Sequence, residues 1–402
     1  LPTIRRFATA SALIAFGTLL ALSTMEGALR VYDAFKGGPR PRAQLWEPRP
    51  GYGWLHPAGG EGVYADDNGE YSVVVKMNSH GLRDVEHEYE KSPGVFRILL
   101  LGDSYMEGVQ VRLESIFPRL LEAALNDGRH KVEIINASAA EWGTDNELVY
   151  FREEGIRYSP DLVLLAFTTA NDLRNNSVDL NLRVPIPNPY KPTFTMAPDG
   201  GLQFHPIPPR PASPPPPPWW QSVRVAVFFA NRLGLNPPAS LPPPPDIPAS
   251  RRAQISKVPT DMLVYASPPV PQIAEAWLVT EALILQMKAE AEQHGAGFAM
   301  FLVNGPWVHY DDYWRLMTMY DHVARDTWNR RTPNDTLAPF VKEHGIACLD
   351  LFDEFDAKKT VEPLYFKFDP HWTPAGHRLA AQTVARFLIE NAIVPPSQTG
   401  GH

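Results

Sequence analysis

Two widely separated points of the chain carry residue types that together perform acyl transfer. Ser104 follows the apolar run Val95-Phe96-Arg97-Ile98-Leu99-Leu100-Leu101 through Gly102-Asp103, and Asp369-Pro370-His371-Trp372 lies near the other end. A serine hydroxyl is a weak nucleophile until a neighbouring base takes its proton. His371 is the candidate base. Asp369 can turn back within the same loop to hold the imidazole tautomer and stabilise the imidazolium. The reaction also needs donors aimed at a developing oxyanion. The Asn171 side chain and the backbone N–H groups of Ser104 and Glu141 are candidates, because their segments follow strand-like runs.

Each of these signals has a plainer explanation when taken alone. An Asp-x-His pair is commonly a solvated loop, and Asn171-Asp172 at a strand end is a common turn or helix cap. Asp369, His371 and His377 carry metal-ligating atoms, but no Glu-x-x-His or cysteine pair supports them. Gly102–Gly108 lacks the Lys-Ser/Thr of a phosphate loop and the glycine spacing of a dinucleotide site. The sequence therefore implies neither a metal nor a cofactor.

The elements that must bring these residues together follow a regular alternation. Strand-like runs at 95–101, 132–135, 161–167, 297–303 and 346–351 alternate with helical patterns at 115–126, 144–156, 273–294, 319–343 and 374–391. This predicts an α/β fold, a three-layer doubly wound and mainly parallel sheet spanning 95–395. In such sheets chemistry gathers at the carboxyl ends of the strands, where Ser104, Glu141 and Asn171 would lie. Residues 185–271 interrupt the rhythm with 25 of the chain's 42 prolines. They read as an insertion of extended and loop structure. Inside it, Trp219 to Leu235 is an apolar island, suited to a helix on the main domain, over the site or at a membrane interface.

The N-terminus suggests an address. Arg5-Arg6 precedes Phe7–Met25, an uncharged stretch of 19 residues, long enough to cross a bilayer. The positive-inside rule would put the chain beyond Met25 on the extracytoplasmic side, periplasmic or at the cell surface. A cleaved signal is the alternative to an anchor spanning 1–30. Residues 31–94 read as a Gly- and Pro-rich spacer ending in a strand at Tyr71–Met77. A formal charge of −8 with no basic stripe argues against nucleic acid as a partner. The lone Cys348, in an apolar run, reads as a core thiol.

Over about residues 70–391 the ordered blocks resemble the SGNH (GDSL-type) hydrolases. Gly102-Asp103-Ser104-Tyr105 matches their nucleophile block, Thr169-Ala170-Asn171-Asp172 their asparagine block, and Asp369-Pro370-His371 their histidine block. The resemblance implies an SGNH-like, flavodoxin-like fold. It also implies a Ser104–His371–Asp369 triad and an oxyanion hole from Ser104, Glu141 and Asn171. Three departures stand out. Glu141 occupies the place of the family's second-block glycine, Thr169 replaces the first glycine of the third block, and one residue separates Asp369 from His371. The Asp-x-His-Trp form is similar to the alginate-acetylation proteins. That likeness implies an esterase or O-acetyltransferase acting on an acylated envelope or secreted glycan, with room for a membrane acyltransferase as partner. A lipid esterase or lysophospholipase and a non-catalytic glycan-binding scaffold are the alternatives.

Overall fold

The computed structural model describes residues 2–35, 45–126, 130–184, 188–209, 223–232, 258–319 and 321–395. Two compact units divide the chain: 1–42 with 210–246, and 43–209 with 247–402.

In the first unit, α1 (Pro2–Phe35) contains Leu13–Val31, 19 residues of mean hydropathy 1.3 with none buried. A membrane anchor and a signal sequence both meet that description. A second helix, Arg224–Arg232, packs on α1. There Val225 N donates to the Glu26 carboxylate at 2.8 Å. The described part of the apolar island thus folds with the N-terminal helix. Trp219, Trp220 and the runs Pro214–Pro218 and Pro242–Pro245 lie outside the described residues.

The second unit opens with a hairpin, β1 (Glu61–Ala65) and β2 (Ser72–Lys76). Then come β3 (Phe96–Gly102), α2 (Ser104–Glu107), α3 (Phe117–Leu125), β4 (Val132–Ser138), α4 (Thr144–Glu153), β5 (Leu162–Thr168) and α5 (Asn171–Asn175). After the proline-rich range follow α6 (Pro271–Gln293), β6 (Gly297–Val303), α7 (Thr332–Glu343), β7 (Ala347–Asp350) and α8 (Pro374–Glu390). The five β3–β7 strands form one parallel sheet in the order β7-β6-β5-β3-β4. β3 is the first strand of this sheet, and its two neighbours lead away on opposite sides. That reversal opens a crevice at the carboxyl end of β3, the usual ligand position in such sheets.

The apolar runs form strands because both faces of the sheet are covered. Ile98 and Leu100 of β3 face one core with residues of α3 and α8, and Leu99 and Leu101 face another with residues of α4 and α6. All four are fully buried. β4 continues through Asn136, Ala137 and Ser138 beyond its expected end at 135. Asn136 can stay buried there because its amide donates to Arg83 O at 3.2 Å and Met106 O at 3.1 Å.

Two other expectations change. The helix expected at 319–343 is broken into His322–Thr327 and α7. Asn329 Oδ1 accepts from Arg331 N at 2.9 Å, a local turn, and Pro333 then opens the new helix. Residues 45–94, expected as a spacer with a strand, pack into the unit, burying Leu45, Trp54, Leu55, His56, Leu82, Arg83 and His87. Their glycines serve turns here. Gly81, at φ +77°, brings its α-carbon so close to His56 O that a β-carbon would collide at 2.4 Å. In the range 185–271, Thr193–Met196 and Leu202–His205 pair as a hairpin and Thr260–Tyr265 form a buried 3₁₀ turn.

Candidate active site

The site begins where β3 stops. A β-carbon at Gly102 would meet Met106 Cγ at 2.6 Å, so only glycine lets the chain fold back over its own first turn. Asp103 caps that turn, its Oδ1 accepting from Tyr105 N at 2.9 Å. Ser104 is thereby set at the carboxyl edge of the sheet. Its Oγ lies 2.7 Å from His371 Nε2, and His371 Nδ1 lies 2.5 Å from Asp369 Oδ1. The same Oδ1 accepts from the His371 backbone N–H at 2.9 Å, which closes the Asp-Pro-His loop on itself. Serine, histidine and aspartate thus form one continuous hydrogen-bonded chain.

Two aromatic residues beside the motifs brace the loop. Tyr105 donates from its hydroxyl to Pro370 O at 2.9 Å, and its ring centroid lies 5.0 Å from that of His371. Trp372 is buried between Tyr105 and Phe355, with centroids at 5.2 and 5.3 Å.

Electrostatics favour a charged Asp369 beside a basic His371. Burial pushes the Asp369 carboxyl up, but the hydrogen bond and charge of His371 and the bond from Tyr71 outweigh it and hold it at about 2. Burial pushes the imidazole down. The hydrogen bond and charge of Asp369, joined by the charges of Asp103 and Glu107, reverse this and leave His371 above its ordinary value.

Asn171 and Glu141 meet on the other side of Ser104. Asn171 Nδ2 donates to Asp103 Oδ2 at 2.5 Å, while its Oδ1 accepts from Arg174 at 2.7 Å and from Asn175 at 3.3 Å. Glu141 has φ +63°, the left-handed conformation that glycine adopts freely. For a residue with a side chain it costs roughly 1–2 kcal/mol. The Glu141 carboxylate is paired with Arg174 at 2.7 Å, and its carbonyl accepts from Asn175 at 3.0 Å. Gly143 follows, with a β-carbon there meeting Asn175 Cβ at 2.7 Å. The five residues singled out from the sequence therefore belong to one cluster.

Several residues that position this cluster carried no sequence signal. Tyr71, at the start of β2, donates its hydroxyl to Asp369 Oδ2 at 2.6 Å. The preceding Glu70 accepts from the backbone N–H groups of Lys367 and Phe368, both at 2.7 Å. Burial, then the bond to Asp369, raises the Tyr71 hydroxyl pKa and keeps it a donor. Behind Ser104, Glu107 accepts from Trp46 at 2.7 Å and lies 2.8 Å from His56, both from the 45–94 segment. Arg83 donates to the carbonyls of Glu107, Gly108 and Val111. Under the Asn171 side, Lys191 bonds Asp145 at 2.7 Å and Asn175 O at 2.9 Å, fully enclosed. No cluster of histidine, cysteine and carboxylate suited to a metal occurs among the described residues.

A doubly wound α/β sheet carrying a Ser–His–Asp hydrogen-bonded chain at its topological switch defines the class of protein. Residues 318–400, which include the Asp369–His371 block, match the family model of the SGNH hydrolase-like domain of acetyltransferase AlgX. An arylesterase from Vibrio mimicus is 35% identical over 78 residues, 19% of this chain and 39% of that protein. The chain thus matches about two fifths of that relative's length. Among solved structures, a GDSL-like lipase from Bacteroides thetaiotaomicron aligns at 13% identity over 76% of this chain and 93% of its own, with TM-score 0.36. A catalytic mutant of an acetylxylan esterase from Geobacillus stearothermophilus aligns at 12% identity over 75% and 96%, also with TM-score 0.36. By its ordered motifs, its sheet and the family-model match, the chain is an SGNH (GDSL-type) hydrolase-like protein.

Proposed function

We propose that the protein is a serine-dependent acyl-ester hydrolase or O-acyltransferase. The observation that carries this reading is the hydrogen-bonded chain from Ser104 Oγ through His371 to Asp369. Ser104 Oγ attacks the ester carbonyl while His371 Nε2 takes its proton, and the Asp369 carboxylate stabilises the imidazolium. Asn171 and the backbone N–H groups of Ser104 and Glu141 hold the oxyanion. The tetrahedral adduct collapses to an acyl-Ser104 as His371 returns the proton to the leaving alcohol. Water or a sugar hydroxyl then takes the acyl group by the reverse sequence. The substrate class rests on likeness: the match to an acetyltransferase domain and the Asp-x-His-Trp block favour a short acyl group, acetyl, on an envelope or secreted glycan. The apolar stretch of α1 supports a location at a membrane, with the second unit on the extracytoplasmic side.

The test is labelling of the full chain in detergent with a fluorophosphonate probe, read by intact mass. One adduct is expected, and it should vanish in Ser104→Ala. Absence of an adduct in the folded wild-type protein would sink the serine mechanism. Acetyl-ester turnover with and without oligosaccharide acceptors then separates hydrolysis from transfer, and activity rising with acyl-chain length would favour a lipid esterase.

The hairpin makes a graded prediction. Tyr71→Phe removes a hydrogen bond to a charged acceptor, worth roughly 1.5–3 kcal/mol, of which the transition state feels part. A fall of about tenfold in kcat with little change in KM is expected on p-nitrophenyl acetate. A KM effect alone would place Tyr71 in substrate binding instead.

A further inference from the structure

Glu141 raises a problem for any oxyanion chemistry at this site. Its carboxylate stands on the residue whose backbone N–H is a proposed oxyanion donor, and a like charge there would oppose the transition state. We propose that Arg174 is a positioning residue that cancels this charge and fixes the Asn171 amide in its donating orientation, an inference that rests on the serine mechanism above.

The geometry carries both parts. One guanidinium nitrogen of Arg174, Nη2, reaches the Glu141 carboxylate and Asn171 Oδ1, each at 2.7 Å. Arginine donates and never accepts. The amide oxygen of Asn171 must therefore face Arg174, and its NH₂ must face Asp103 and the serine side. Asp103 takes one of the two amide hydrogens, leaving the other for an oxyanion. Arg174 is held in place from its far edge by an ion pair between Nε and Asp261, on the 3₁₀ turn Thr260–Tyr265. With only 4% of its surface exposed, it is screened by protein rather than by water. Asn175, one residue further on, spans the same pair by donating to Glu141 O and Asn171 Oδ1. A glycine at 141 would need no such cation. The substitution at 141 and the arginine at 174 thus act as a matched pair.

The test is a double-mutant cycle read by the rate of fluorophosphonate adduct formation at Ser104, because the bound phosphonate oxygen mimics the oxyanion. Arg174→Met is expected to slow labelling about 100-fold, the scale of losing one oxyanion donor. Combining it with Glu141→Gly should restore about tenfold, since the uncancelled carboxylate and the strained φ both disappear. A structural role for Arg174, supporting Asp261 alone, would give no such rescue. No rescue, or wild-type labelling in Arg174→Met, would overturn the proposal. If Arg174→Met does not fold, Arg174→Lys keeps the charge but cannot reach Glu141, Asn171 and Asp261 in one rigid fork. Slower labelling relieved by Glu141→Gly is again expected, and wild-type labelling would again overturn it. Should the wild-type protein itself take no label, the serine mechanism fails first, and that result is distinct from either outcome of the cycle.

Discussion

Asp369→Asn should lower kcat by about 10³-fold, a smaller loss than the roughly 10⁴-fold seen when such an exchange also inverts the histidine tautomer. The difference comes from local geometry. Asp369 Oδ1 accepts two donors from His371, the backbone N–H and Nδ1–H, whereas Oδ2 faces the Tyr71 hydroxyl. In the amide, the backbone N–H demands an oxygen at the first position. The NH₂ then turns to Tyr71, whose oxygen can accept as well as donate. The productive tautomer survives, and what disappears is the negative charge opposite the imidazolium. The variant should also alter the pH profile. Activity requires neutral His371, so it rises as pH passes through the His371 pKa, which Asp369 holds above its ordinary value. With the carboxylate gone, burial alone acts on the imidazole and pushes it down. The acid limb of kcat/KM should therefore move to lower pH while the plateau falls. A plateau loss with the acid limb unmoved would show that Asp369 does not act on His371 through its charge. Adding Tyr71→Phe should deepen the loss, because nothing then selects the amide orientation from that side.

Lys191→Met is expected to destabilise the second unit by about 3–5 kcal/mol, the usual result of removing one partner from a buried ion pair. Methionine keeps most of the volume, so the loss reports charge rather than a cavity. Lys191 faces an acidic interior: it bonds Asp145, and Glu147 and Asp172 are fully buried nearby. Burial and then neighbouring carboxylate charges push both Glu147 and Asp172 well above the ordinary range. Removing the cation raises the Asp145 carboxyl further, so the folded state holds a proton that the unfolded chain releases. By linkage, stability then falls as pH rises above the unfolded carboxylate range. The deficit should be largest at neutral pH and shrink toward pH ~4. Urea midpoints across that range measure it. Asp145→Asn in the same chain should recover part of the loss, and an equal deficit at every pH would contradict the charge argument.

How much of the fold and site was legible in the sequence depended on range. β3, β5 and β6 stood out because strands buried on both faces need unbroken apolar runs. Ser104, His371 and Asn171 stood out because each sits in a short motif with its own turn chemistry. Glu141 was recognisable as an exception, but its φ and its partner were not, since Arg174 lies 33 positions away with nothing local to mark it. Glu70, Tyr71, Arg83 and Lys191 looked like ordinary polar residues of turns and linkers. Their roles come from tertiary contacts, where a buried hydrogen bond outweighs any local preference. The 45–94 segment was misread for the same reason: glycine and proline mark turns, and composition alone does not separate a packed turn from a free linker.

The hydrogen bond from Tyr71 to Asp369 spans 298 positions, and that from Ser104 to His371 spans 267. Contacts so distant along the chain form late, because long loops must close before they bring any gain. A growing or partly folded chain can therefore hold a complete β3 and a correctly turned Ser104 while remaining inert. Reactivity switches on when the last strand, its loop and α8 dock against the hairpin. Labelling at Ser104 during refolding should then trail the recovery of helical signal, which makes acyl chemistry in this protein a report of completed assembly.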